Sequence, residues 1–135
     1  MLVQTLLIDD DKIIGLLHNK LVSKFNFPGP KVFVDAESAL HYIMNVESDR
    51  IKKFIVFLDI NMPGLDGWGF LKKSRSMALE QKLCVFILTS SIDLSDKLKA
   101  QSYPEVEGFI EKPLTAVKLR EIMCMESMIK VITKA

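Results

Sequence analysis

Three carboxylates stand side by side in LLIDDDKI, residues 6–13, at Asp9, Asp10 and Asp11, where a short apolar run ends. A fourth, Asp59, closes another apolar run, FIVFLD. LCVFIL is followed by Thr89, Ser90 and Ser91, and GFIE by Lys112 and Pro113. The carboxylates alone are an unfavourable set, because two unit charges ~5 Å apart repel by roughly 3 kcal/mol at an effective dielectric of ~20. Protonation relieves that repulsion, and so does a bound cation. A hard divalent ion with several oxygen ligands and retained waters suits such a site, and Mg²⁺ answers the description. The plainer reading is that the acids are solvated helix caps. Asp11, directly ahead of a helical pattern from Lys12, fits that role.

Whether these groups meet depends on the elements that carry them. Short apolar runs alternate with longer amphipathic stretches along the whole chain. TLLI, KVFV, FIVFL, LCVFIL and GFIE read as strands, the third apolar throughout, as expected when both faces are covered. Between them, KIIGLLHNKLVSKF places Ile14, Leu17, Leu21 and Phe25 at helical spacing. AESALHYIMNV follows Asp35, a plausible N-cap, and WGFLKKSRSMAL follows the loop MPGLDG. DLSDKLKAQSY is a weak helix that must end by Pro104. LTAVKLREIMCMESMIKVIT reads as one long final helix. Strand then helix, five times over, implies an α/β doubly wound parallel sheet with flanking helices, its topology limited by right-handed crossovers. Ligands of such sheets bind at the carboxyl ends of the strands, where every residue singled out above stands.

The totals exclude several classes. With 135 residues, 49% of them apolar, the chain can build one sizeable core, and residues 1–135 are expected to form one domain. A net charge of +1 argues against a broad nucleic-acid footprint. Cys84 and Cys124 form no CxxC and have no close histidine, which disfavours zinc and disulfides and suits a cytoplasmic setting. MLVQTLLI does not read as a signal peptide, and no apolar run approaches a membrane span.

LLIDDDKI, VFLDINMPGLDG, FILTS and FIEKPL, in that order and each at its own strand end, resemble the motifs of response-regulator receiver domains, the phosphoacceptor modules of two-component signalling. The resemblance covers nearly the whole chain. It implies the flavodoxin-like strand order 2-1-3-4-5 and a stand-alone domain that acts through protein contacts. Asp59 matches the phosphoacceptor, and Asp9 and Asp10 match the acidic pair that holds Mg²⁺ with it. Asn61 matches the position whose backbone carbonyl completes the metal site. Thr89 and Lys112 match the hydroxyl and lysine that bind the phosphoryl group, and Pro113 the proline that often follows a cis bond. The implied reaction takes a phosphoryl group from a sensor histidine kinase or phosphotransfer protein. Thr89 and Phe109 would act as the switch, altering the face of the fourth helix, fifth strand and fifth helix where a downstream protein docks. Asn61 and Ser91 occupy positions that influence phosphoryl lifetime.

SYPEVEG departs from the small-residue pair that commonly precedes the fifth strand, and suggests a shortened or altered fourth helix. The last helix carries an unusually wide apolar stripe through Val117, Ile122, Cys124, Met125, Met128, Ile129, Val131 and Ile132, which suits either a wide core face or a homodimer. Trp68 reads as a partly buried anchor, and His18 and His41 as surface or half-buried residues. Two other readings share features with these motifs. A flavodoxin-like electron carrier needs a hydroxyl- and glycine-rich first loop, where this chain has acid. An aspartyl-phosphate phosphatase resembles D-x-D at its nucleophile, where this chain has Asn61 and lacks the general acid. No Walker loop is present.

Overall fold

The five apolar runs form strands β1 (Val3–Ile8), β2 (Lys31–Phe33), β3 (Lys53–Asp59), β4 (Leu83–Thr89) and β5 (Val106–Glu111) in a computed structural model that describes residues 3–45, 50–90 and 92–133. Every pairing is parallel and the order is β2-β1-β3-β4-β5, as expected from the sequence. The side chains of each strand alternate between two cores. Leu6, Ile8, Val56, Leu58, Val85 and Ile87 pack against α2 (Ala36–Asn45) and α3 (Gly67–Ser76). Leu7, Ile55, Phe57, Cys84, Phe86 and Leu88 face α1 (Lys12–Lys24), α5 (Ala116–Met123) and α6 (Glu126–Thr133). Burial on both sides explains why β3 and β4 read as unbroken apolar runs.

The helices begin where the caps predict. Asp11 Oδ1 accepts from the backbone N–H of Ile13 and Ile14, and Asp35 Oδ1 from that of Ser38. The buried face of α1 differs from the expected stripe. Gly15, His18 and Val22 turn to the core, Ile14, Leu21 and Phe25 are half-buried, and Leu17 is exposed. The small Gly15 lets the helix lie close over Val32, and this rotates the apolar residues outward.

The final helix is also corrected: α5 and α6 are separate, with a turn at Cys124 and Met125. Tightened bonds end α5, Cys124 N–H donating to Arg120 O and Glu121 O and Met125 N–H to Ile122 O. No Gly or Pro marks this break. The turn re-phases the chain, so the wide stripe is two narrower ones laid end to end. Ile122 and Met128 are buried and Met123, Met125 and Val131 pack beside them, while Val117, Cys124 and Ile129 are exposed. The side chain of Ile132 lies outside the described residues.

As SYPEVEG suggested, α4 (Leu94–Ala100) is short. It buries only Ala100. The chain beyond it is tied to α3 instead: Tyr103 packs near Trp68, Arg75 lies over the Tyr103 ring, and Arg75 pairs with buried Glu105 at 2.9 Å.

The start of α3 is pressed against the end of β3. A Cβ on Gly67 would lie 2.7 Å from Ile60 Cα and 2.8 Å from Asp59 O, both backbone atoms that cannot yield cheaply. Gly67→Ala is therefore expected to destabilise the protein by about 1–3 kcal/mol. Urea denaturation checks this, and Gly69→Ala, which meets only flexible Leu65 atoms and its own Asp66 cap at the closest points, serves as the comparison.

Candidate functional site

Register alone brings the first two carboxylates together. Ile8 pairs with Leu58 across β1 and β3, so the next residues, Asp9 and Asp59, leave adjacent parallel strands side by side. Strands so paired lie about 4.8 Å apart. Both carboxylates are buried, whereas Asp10 and Asp11 are exposed. Asp11 thus turns away to cap α1, and its N–H donates to Asp9 Oδ1 at 2.9 Å. Asp9, Asp10 and Asp59 each offer an oxygen within 4.8 Å of the others.

Lys112 supplies the opposing charge. Its Nζ is 2.7 Å from Asp9 Oδ2 and 3.3 Å from Asp59 Oδ2. The second Asp59 oxygen, Oδ1, accepts from the Asn61 N–H at 3.1 Å. Thr89 reaches the same end of the sheet, buried, and its backbone carbonyl accepts from Lys112 N–H at 2.7 Å. The Lys112–Pro113 bond is cis. Phe109 is half-buried on β5 against the α3-side core. Ser91 lies outside the described residues. Asp35 is absent from the cluster, because β2 is an outer strand and its carboxylate is spent on Ser38.

Electrostatics sets the character of the pocket. Burial pushes the Asp59 carboxyl up to about 6, Lys112 opposes that rise, and Asp9 adds to it. Burial works against a charged Lys112, but the hydrogen bonds and charges of Asp9 and Asp59 win and raise its pKa. One ammonium cannot balance three carboxylates, and the excess of two negative charges matches a divalent cation. An all-oxygen donor set, with two carboxylates buried and one at the rim open to water, fits a hard ion such as Mg²⁺.

One residue of this neighbourhood was misjudged from the sequence. His18 is buried, 3% exposed, and its Nε2 accepts from the Leu114 N–H at 3.1 Å. Its partner is 96 residues away, so no local signal could reveal it. His41 is exposed, as expected.

A doubly wound parallel sheet with a lysine-bridged acidic pocket at the ends of its central strands defines a class of α/β domains. Within that class, the sequence pattern of the response regulator receiver domain matches residues 5–123, and the chain belongs to that family. Chemotaxis protein CheY-3 of Vibrio cholerae is 27% identical over 119 residues, covering 88% of this chain and 87% of that protein. The crystal structure of a two component response regulator from Cytophaga hutchinsonii matches with a TM-score of 0.81 at 25% identity, over 96% of this chain and 98% of that one. Vibrio cholerae CheY4, at 18% identity and a TM-score of 0.75, covers 91% and 97% and shares the fold. Among the described residues, no helix is long and apolar enough to cross a membrane.

The raised Asp59 has a consequence for stability. The folded protein holds that proton more tightly than the unfolded chain does. The resulting stabilisation is complete below the ordinary carboxylate value of 3.8 and is lost as pH rises to about 6. In EDTA near neutral pH, Asp59→Asn is expected to be more stable than the wild type by up to about 3 kcal/mol, at about 1.4 kcal/mol per tenfold change in proton affinity. The difference shrinks at about pH 4, and urea unfolding at both pH values measures it.

Proposed function

We propose that the protein is a phosphoacceptor that receives a phosphoryl group on Asp59 from the phosphohistidine of a sensor histidine kinase or phosphotransfer protein. The observation that carries this reading is the convergence of buried Asp59 and Asp9 with Lys112 within salt-bridge distance at the carboxyl ends of the central strands. An Asp59 oxygen attacks phosphorus, a new O–P bond forms, and the P–N bond breaks with its electron pair leaving on the donor imidazole. Asn61 N–H and Lys112 hold Asp59 from two sides, so the nucleophile is oriented before the donor arrives. Lys112 also faces the incoming phosphoryl oxygens, and the Thr89 hydroxyl is the donor assigned to them on the other side. Mg²⁺ held by Asp9, Asp10, Asp59 and the Asn61 carbonyl would supply the remaining neutralisation of phosphoryl charge. Hydrolysis of the acyl phosphate restores Asp59, with Asn61 and Ser91 governing access of water.

The donor's docking surface is assigned to α1, which begins at the acidic loop. Its exposed side carries Ile13, Leu16 and Leu17, 71%, 60% and 56% exposed, a run of apolar residues beside the pocket. For output, Thr89 and Phe109 are proposed to move together on phosphorylation. An open cleft of about 540 Å³ lies beside Phe109, lined also by Phe86, Ile92, Ile110, Ile122 and Met125, and gives the ring room to shift. The downstream partner is assigned to the α4–β5–α5 face, where Leu94, Leu98 and Val117 are exposed. A homodimer through α5 and α6 would have to use the exposed Val117 and Ile129, because Met128 and Ile122 are spent on the core.

Incubation with acetyl phosphate and Mg²⁺ should raise the intact mass by one phosphoryl group, and EDTA or Asp59→Asn should abolish the gain. An unchanged wild-type mass would remove the reading. Leu16→Lys with Leu17→Lys should slow transfer from a phosphorylated donor protein by about tenfold or more, consistent with losing an apolar contact worth ~1.4 kcal/mol or above. Uptake from acetyl phosphate, which needs no docking surface, should stay as in the wild type.

A further inference from the structure

The geometry of Lys112 poses a problem that its own strand does not solve. In the order β1-β3-β4-β5, the strand that carries Lys112 lies three positions from the one that carries Asp9. At about 4.8 Å per step, that is roughly 14 Å across the sheet. An extended lysine side chain reaches only roughly 6 Å from its Cα, by its bond lengths. Even with roughly 3.5 Å more from the aspartate side chain and the contact itself, Lys112 spans that gap only near full stretch, so the loop after β5 must hold it toward the strand ends for Nζ to sit 2.7 Å from Asp9 and 3.3 Å from Asp59.

That loop is fastened at two ends. Before the turn, Lys112 N–H donates to Thr89 O at 2.7 Å. Pro113 has no N–H to offer. After it, Leu114 N–H donates to His18 Nε2 at 3.1 Å, inside the core and with both residues buried. On the solvent side, Lys118 Nζ also reaches Glu111 O and Pro113 O at 2.6 and 3.1 Å, in contacts open to water. His18 belongs to α1, the helix that Asp11 starts directly after Asp9 and Asp10. The imidazole thus joins the loop that carries the ammonium to the helix anchored beside the acids.

We propose that His18 is a positioning residue for phosphoryl uptake: as a neutral imidazole accepting from Leu114, it fixes the loop that carries Lys112 over Asp9 and Asp59. This rests on the phosphoacceptor reading above. Accepting at Nε2 in the neutral ring places the proton on Nδ1. The surroundings keep the ring neutral, since burial lowers its pKa, with Asp9 pulling the other way and Lys112 adding to the depression. Without the acceptor, Leu114 N–H would be buried and unpaired, a state that costs about 1–3 kcal/mol and that the loop can escape only by shifting.

Three variants separate positioning from mere packing. His18→Leu and His18→Met keep apolar volume and lose the acceptor, whereas His18→Gln retains an acceptor oxygen at similar reach. Each is measured for phosphoryl uptake from acetyl phosphate with saturating Mg²⁺, for affinity toward the phosphoryl mimic beryllofluoride, and for hydrogen exchange of the Leu114 amide. The apolar variants are expected to take up phosphoryl about 10- to 100-fold more slowly, as for a small misplacement of an aligned group. They should also bind beryllofluoride more weakly and exchange Leu114 rapidly, and His18→Gln should recover all three. Wild-type uptake in a folded apolar variant overturns the proposal, and so does equal impairment of the Gln and apolar variants. If neither apolar variant folds, the wild type decides: a Leu114 amide that exchanges as fast as the exposed loops refutes the latch. Failure of the wild type itself to take up phosphoryl would strike the underlying reading, a result distinct from uptake that is indifferent to residue 18.

Discussion

A single ammonium shared by two buried carboxylates organises this end of the molecule. Asp9 and Asp59 are brought together by the register of the two central strands, whose last paired residues, Ile8 and Leu58, directly precede them. Burying both charged would be costly without a partner. Lys112 resolves part of that cost, and a protonated Asp59 or a bound cation resolves the rest. Burial, with the Asp9 charge adding to it and Lys112 opposing it, pushes the Asp59 carboxyl up to about 6 rather than the ordinary carboxylate value.

The rest of the fold divides according to how firmly it supports that arrangement. β1, β3 and β4 are packed on both faces and present their ends as a rigid platform. Gly67 allows α3 to close against the end of β3, and His18 holds the loop after β5 from beneath. By contrast, α4 buries one residue and exposes Leu94 and Leu98. Lys99 of α4 lies over the Trp68 ring of α3, and the chain beyond α4 is tied to α3 by the Arg75–Glu105 pair. A helix with so little buried surface is held less firmly than the central strands, which are packed on both faces.

Most strands and caps were legible because their signals are local. Apolar runs of four to six residues, Asp11, Asp35 and Pro104 each act on neighbours a few positions away. Errors arose where a distant partner decided the outcome. Gly15 let α1 approach Val32, and Leu17, placed on the apolar stripe by its spacing, turned outward. The break at Cys124 and Met125 has no breaker residue, so only the packing of Met128 against the second core marks it. Lone His18, with no acidic or cysteine neighbour in sequence, looked like a surface or half-buried residue because its partner comes from the opposite end of the chain.

The sequence by itself determined which chemical groups stand at strand ends, since an apolar run must stop where a charge begins, and it determined that the sheet is parallel. Membership of the receiver family follows from the same four motifs. Only the tertiary structure decided which of three adjacent acids faces inward, that Lys112 spans both buried carboxylates, and what holds its loop in place. Those outcomes depend on strand register and on contacts between residues far apart in the chain. They are summed over the whole core, and no short window of sequence contains them.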